Sequence, residues 1–178
     1  MNDYLDQVSL AARQAVQAKD WESVSACAKK ILKRCKNDSK GHFLIGLVEK
    51  ASNRPDRAIR AFSKAIGLDE KRYDVAIELA GQHLRLHQYG DAVTLLQRYE
   101  SHMNNSPRYL DMAGTIYTNV GLPDRGWPLY KRANELQPGV DSLQANLAAW
   151  SVFVSEIDDA KKIYRHLLEK FPNHQRNH

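Results

Sequence analysis

The chain has 178 residues, 43% of them apolar, and a formal net charge of +5, enough material for one domain with a sizeable core. No apolar run approaches the roughly 20 residues needed to span a bilayer, and the opening MNDYLDQ lacks the basic and apolar regions of a secretory signal. The expectation is a cytoplasmic protein that does not insert in a membrane. Its only cysteines, Cys27 and Cys35, stand eight residues apart on one predicted helix, too far for a disulfide, and read as reduced, half-buried thiols.

Along the chain the strongest signal is a repeat. Windows of 34 residues beginning at Leu5, Ser39, Tyr73, Pro107 and Asp141 run for 170 residues without insertion or deletion. The eighth residue of each is small: Ala12, Gly46, Ala80, Gly114 and Ala148. The twentieth is Val24, Ala58, Ala92, Gly126 and Ala160, small in four of five. The twenty-fourth is Ala28, Phe62, Leu96, Tyr130 and Tyr164, mostly large. This spacing predicts two antiparallel helices per window. Small eighth and twentieth residues let the two backbones approach, and the twenty-fourth fills the space beside them.

The second window shows the pattern most clearly. Phe43, Gly46 and Leu47 lie on a first helix that ends near Asn53, and Ala58, Ile59, Phe62, Ala65 and Ile66 form one apolar stripe on the second. Between the helices stand Glu22, Asp56, Asp124 and Asp158, each placed to cap the second helix; Gly90 alone breaks that series. In the fourth window Gly121-Leu122-Pro123 is the predicted turn, Pro128 falls in or beside the first turn of the second helix, and Pro138 ends the pair.

These five in-phase windows resemble the tetratricopeptide repeat (TPR) family over essentially the whole chain. Val24 and Ala28 in the first window, and Tyr99 in the third, depart from the family pattern without shifting its phase. The resemblance implies an all-α, right-handed superhelical solenoid over residues 1–174, with repeats 5–38, 39–72, 73–106, 107–140 and 141–174, and residues 175–178 opening a linker or tail. It also implies that a peptide or protein segment is held in a concave groove lined by the first helices.

On that implication the groove contacts are Phe43, Leu47, Ile77, Leu84 and Arg85, rimmed by Arg13, Lys40, Lys50 and Arg108, with Asp111 further along. Gly81 would leave room for a bulky anchor. The partner is expected to carry apolar anchors and some acidic character. In chaperone adaptors of the family, Lys, Asn and Arg at the fifth and ninth places clamp a terminal carboxylate. Here those places hold Ser9 and Arg13, Phe43 and Leu47, Ile77 and Gly81, Asp111 and Thr115, and Ala145 and Ala149; the clamp is absent. Phe43 and Ile77 have an equal alternative role, packing against neighbouring first helices.

Charge is uneven, +6 over residues 1–72 and −1 over residues 73–178. The run Lys29, Lys30, Lys33 and Arg34 raises nucleic-acid binding as an alternative, but no aromatic platform accompanies it, and a solvated basic face explains it better. His83 and His87 have a spacing able to share a zinc ion, with Asp91 as a nearby third group, yet neither a metal nor a cofactor is expected. Asp158-Asp159 reads as helix capping rather than acid–base chemistry, and no phosphate loop or nucleophile elbow is present. No catalysis is expected in this chain.

The last window ends on an apolar face, including Trp150, Val152, Phe153, Val154, Tyr164, Leu168 and Phe171, expected to meet another copy or a downstream domain. The closing stretch from Leu168 to His178 resembles the junction of bacterial TPR arrays with a sulfotransferase-like domain. That resemblance implies a docking module of a larger enzyme.

Overall fold

Helix formation follows the 34-residue phase. The computed structural model describes residues 3–102, 106–153 and 155–170. All regular secondary structure among these is helical: α1 (Asp3–Gln17), α2 (Trp21–Arg34), α3 (Ser39–Ala51), α4 (Pro55–Leu68), α5 (Tyr73–Arg85), α6 (Tyr89–Tyr99), a 3₁₀ turn (Glu100–His102), α7 (Pro107–Asn119), α8 (Pro123–Leu136), α9 (Asp141–Ser151) and α10 (Ile157–Lys170). From α3 onward the odd-numbered helices begin at Ser39, Tyr73, Pro107 and Asp141. The even-numbered ones begin at Trp21, Pro55, Tyr89, Pro123 and Ile157, so each series advances by 34 residues. The chain divides into two compact units, residues 1–95 and 96–178.

The turn inside every pair uses the same backbone device. Lys19, Asn53, His87, Gly121 and Ser155, each the fifteenth residue of its window, have φ between 56° and 83°. The amide of the next residue reaches back five places: Asp20 to Ala15, Arg54 to Glu49, Gln88 to His83, Leu122 to Tyr117, and Glu156 to Ser151, at 2.8–3.0 Å. This left-handed cap satisfies carbonyls that the ending helix would otherwise leave unpaired. Only one of the five residues is glycine. Gly121→Ala is therefore expected to cost about 1 kcal/mol, and Lys19→Gly to raise the urea midpoint. An unchanged midpoint for Gly121→Ala would argue against the left-handed turn.

The expected capping acids sit one step further in. Glu22, Asp56, Asp124 and Asp158 are each the second residue of their helix, where they complement the helix dipole. At helix starts among the described residues, Asp20 accepts from Ser23 N at 3.0 Å and Asp38 from Gly41 N at 2.9 Å. Hydrogen bonds from Ser23, side chain first, hold the Asp20 carboxyl below its ordinary pKa. Pro123 and Pro55 take the first helical position, where a missing N–H costs nothing. Pro128 is the sixth residue of α8, beyond its expected place in or beside the first turn, and removes one hydrogen bond from that helix. Cys27 is buried, whereas Cys35 caps α2 and is exposed, contrary to the half-buried expectation.

In the first unit a single cluster, including Val24, Ala28, Leu47, Ala58, Phe62 and Ala65, forms the core. Gly46 explains its tightness: a Cβ there would stand 2.3 Å from the Phe62 ring. The second unit repeats this closeness between α7 and α8. A Cβ on Gly126 would meet the Gly114 carbonyl oxygen at 2.8 Å, and one on Gly114 would meet the Tyr130 ring at 2.9 Å. Ala12, Ala80, Ala92, Ala148 and Ala160 are likewise buried. Tyr164 differs from the reading that gave it a packing role. It is 40% exposed. No helix among them is long and apolar enough to cross a membrane.

Candidate functional site on the first helices

Within the first unit, α1, α3 and α5 supply the side chains expected to meet a partner. The structure sorts these residues into two groups. Ile77 is completely buried and Leu47 is 8% exposed within the core. Ile77 has no surface, and Leu47 little, for a partner to cover, so both pack in the core as they stand. Phe43 is half-buried, its ring 5.9 Å from that of Phe62. The Arg72 guanidinium lies 4.9 Å above Phe43, held by a two-pronged pair with Asp74 at 2.7 and 2.6 Å.

Lys50 is not a free rim charge. Its ammonium lies 2.5 Å from the carboxylate of Glu78, a side chain only 3% exposed. Truncating Lys50 would take a cation from beside a buried carboxylate and should destabilise the protein. Glu78, and Gln82 four residues on, are the polar residues that the apolar reading of α5 missed; both are buried. Their fourfold spacing was the available signal, because two polar residues on one face of a largely buried helix need partners. The side-chain oxygen of Gln82 has none among the described residues.

What stays accessible is Leu84, half-buried, with Arg85, Lys40 and Arg13, all exposed. Arg85 donates to Asn53 Oδ1, which leaves its charge uncompensated by that contact. Gly81, three residues before Leu84 and four before Arg85 on α5, is open: a Cβ built on it would find no atom within 4 Å. Open backbone beside an aliphatic side chain and a cation can accept a bulky apolar group next to a carboxylate.

In the second unit Arg108 is exposed, with its guanidinium 5.8 Å from the Tyr109 ring centroid. Asp111 is half-buried and accepts from Asn146 Nδ2 at 2.8 Å. Burial pushes its carboxyl above the ordinary range, against the Asn146 hydrogen bond. Behind it, the Tyr130 hydroxyl donates to Thr115 Oγ1 at 3.1 Å, and burial raises the Tyr130 phenol. Tyr117, buried and donating to Glu100, is pushed up to about 12 by burial first and by the Glu100 charge second.

His83 Nδ1 faces Gln88 Oε1 at 2.6 Å, and His87 Nδ1 faces the Tyr89 hydroxyl at 2.7 Å. Asp91 lies 3.9 Å from His83. Among the described residues no group of three His, Cys, Asp or Glu side chains comes together as a metal site. Lys29, Lys30, Lys33 and Arg34 are exposed on α2, with Ile31 buried beneath them, as a solvated basic face would be. Asp159's side chain, Val154 and residues 171–178 fall outside the described residues, and with them most of the sulfotransferase-junction stretch and the whole proposed tail.

Residues 50–115 match the family model described as Tetratricopeptide repeat. No curated protein matches the sequence significantly. Among solved structures the chain is similar to MamA 41-end from Desulfovibrio magneticus RS-1 (18% identity, 98% of each chain, TM-score 0.69). It is also similar to the pilF protein of Pseudomonas aeruginosa (16% identity, 92% of this chain and 75% of that one, TM-score 0.77). A third likeness is to YrrB, described as a TPR protein with an unusual peptide-binding site (19% identity, 92% and 84%, TM-score 0.68).

Proposed function

We propose that this chain, whose matched residues are tetratricopeptide repeats and whose fold is that of the family, is a non-catalytic scaffold that holds a protein segment on the first-helix face of residues 1–95. The open space over Gly81, beside Leu84 and Arg85, carries this reading. Arg13 and Lys40 add exposed positive charge. The segment that fits has a bulky apolar anchor with Asp or Glu near it. The free thiols of Cys27 and Cys35 fit a cytoplasmic setting. The peptide-binding description of YrrB makes the reading reasonable and belongs to that protein.

A random peptide library displayed on phage and selected on the immobilised protein tests it. Enriched peptides should combine an aromatic or large aliphatic residue with nearby acids. Gly81→Phe should weaken their binding at least about tenfold without lowering the melting temperature, since the new ring enters open space. The pair Arg13→Glu and Lys40→Glu should weaken it chiefly at low salt. A selection that enriches nothing, or peptides indifferent to Gly81→Phe, would dispose of the proposal.

A further inference from the structure

The cations on and beside α3 and α5 are held in two different ways. Lys50 pairs with Glu78 and Arg54 with Glu49, each at 2.5 Å, and Arg72 pairs with Asp74 at 2.6 Å. Those charges all meet carboxylates. Arg85 instead donates from Nη2 to Oδ1 of Asn53, a neutral acceptor, and among the described residues no carboxylate pairs with it. A guanidinium held by an amide is oriented yet keeps its full charge for an incoming anion.

Asn53 is suited to hold it. It stands in the turn after α3 with φ 57°, a conformation that asparagine tolerates better than most residues. Its own amide donates to the Lys50 carbonyl at 3.1 Å, so the side chain projects from a fixed backbone. The contact is no general part of how the pairs stack. The places of Asn53 and Arg85 hold Lys19 and Ala51 one window earlier, and His87 and Asn119 one window later; neither sets an amide against a guanidinium.

In the phase of the repeat Asn53 stands two places beyond Arg85. It therefore draws the guanidinium towards the turn end of α5, away from Gly81. Gly81 and Arg85 are already about 6 Å apart along the helix axis, and an extended segment advances about 3.3 Å per residue. We infer that Asn53 is the positioning residue for the partner's acid. It fixes Arg85 to donate to one Asp or Glu carboxylate that stands two or more residues from the apolar anchor. This rests on the reading of Gly81 as the anchor site.

The probe is a set of peptides selected on the unaltered protein, each with a counterpart in which Asn or Gln replaces every Asp or Glu. The unaltered protein should bind the acidic member at least about tenfold more tightly. Asn53→Gly keeps the turn, since glycine adopts φ 57° without strain, and should bring that ratio below about threefold. A merely structural loss would weaken both members alike and leave the ratio unchanged. Asn53→Asp keeps an acceptor but neutralises the guanidinium, and should lower the ratio as well. In an Arg85→Gln background the ratio should already be low, and adding Asn53→Gly should change it no further. An undiminished ratio in Asn53→Gly, with binding still weakened by Gly81→Phe, would overturn this inference and leave the anchor site standing. So would selected peptides whose acids lie mostly next to the anchor. Peptides indifferent to Gly81→Phe, or no peptides at all, would remove both.

Discussion

Replacing Phe62 by alanine is expected to destabilise the protein by about 3–5 kcal/mol, the cost of emptying a fully enclosed aromatic site. The ring has no exposed surface. It lies against Gly46 from the facing helix, with the Phe43 ring 5.9 Å away. Against a total stability of roughly 5–15 kcal/mol, the urea midpoint should fall by about a fifth or more. The reciprocal change is equally diagnostic. Gly46→Ala would drive a methyl into the ring and should also destabilise, yet combined with Phe62→Leu it should cost less than the two single changes together, because the smaller side chain accommodates the methyl. Additive losses would mean that Gly46 and Phe62 do not share a contact.

The second large effect is expected at Gly126→Ala, about 1–3 kcal/mol. Its new Cβ would stand 2.8 Å from the carbonyl oxygen of Gly114 and 2.5 Å from the Thr118 methyl. A backbone carbonyl inside a helix cannot turn aside as a flexible side chain can, so α7 and α8 would have to separate. Gly67→Ala provides the contrast within the same protein. Gly67 is exposed on α4 with nothing near its missing Cβ, and alanine there should stabilise by roughly 0.5–1 kcal/mol. Thermal melts of the two variants should move in opposite directions; a Gly126→Ala melt equal to that of the parent would refute close approach of the two backbones.

Much of this was legible in the amino acids because it rests on size at fixed spacing. Gly46, Gly114 and Gly126 are small where two backbones touch, and Phe62 and Tyr130 are large where the gap must be filled. Those requirements act on side-chain volume, which a sequence states directly. The turns were not legible in the same way. Lys19, Asn53, His87, Gly121 and Ser155 adopt one conformation with no shared residue type, since the backbone hydrogen bonds enforce it.

The candidate site was less legible still. Fifth and ninth places were read as facing a partner, but whether such a side chain meets solvent depends on neighbours remote in sequence. Arg72, braced by Asp74, lies over Phe43, and Glu78 draws in Lys50 across 28 residues. Ile77 is buried outright. Helical periodicity reports which face a residue lies on, and it is silent about long side chains that reach over from the next element. Gly81 kept its reading as an opening because an absent side chain has nothing to be rearranged.

The arithmetic of the helix starts carries a last consequence. Since every hairpin closes through its own backbone, and every hairpin begins a fixed count after its predecessor, length can change here only in whole quanta. A gene that gained or lost thirty-four codons within one of these units would present each remaining hairpin with the same kind of seat. A gain of any other number inside a helix would put a bulky residue where two backbones must nearly touch, so geometry confines other changes of length to the turns.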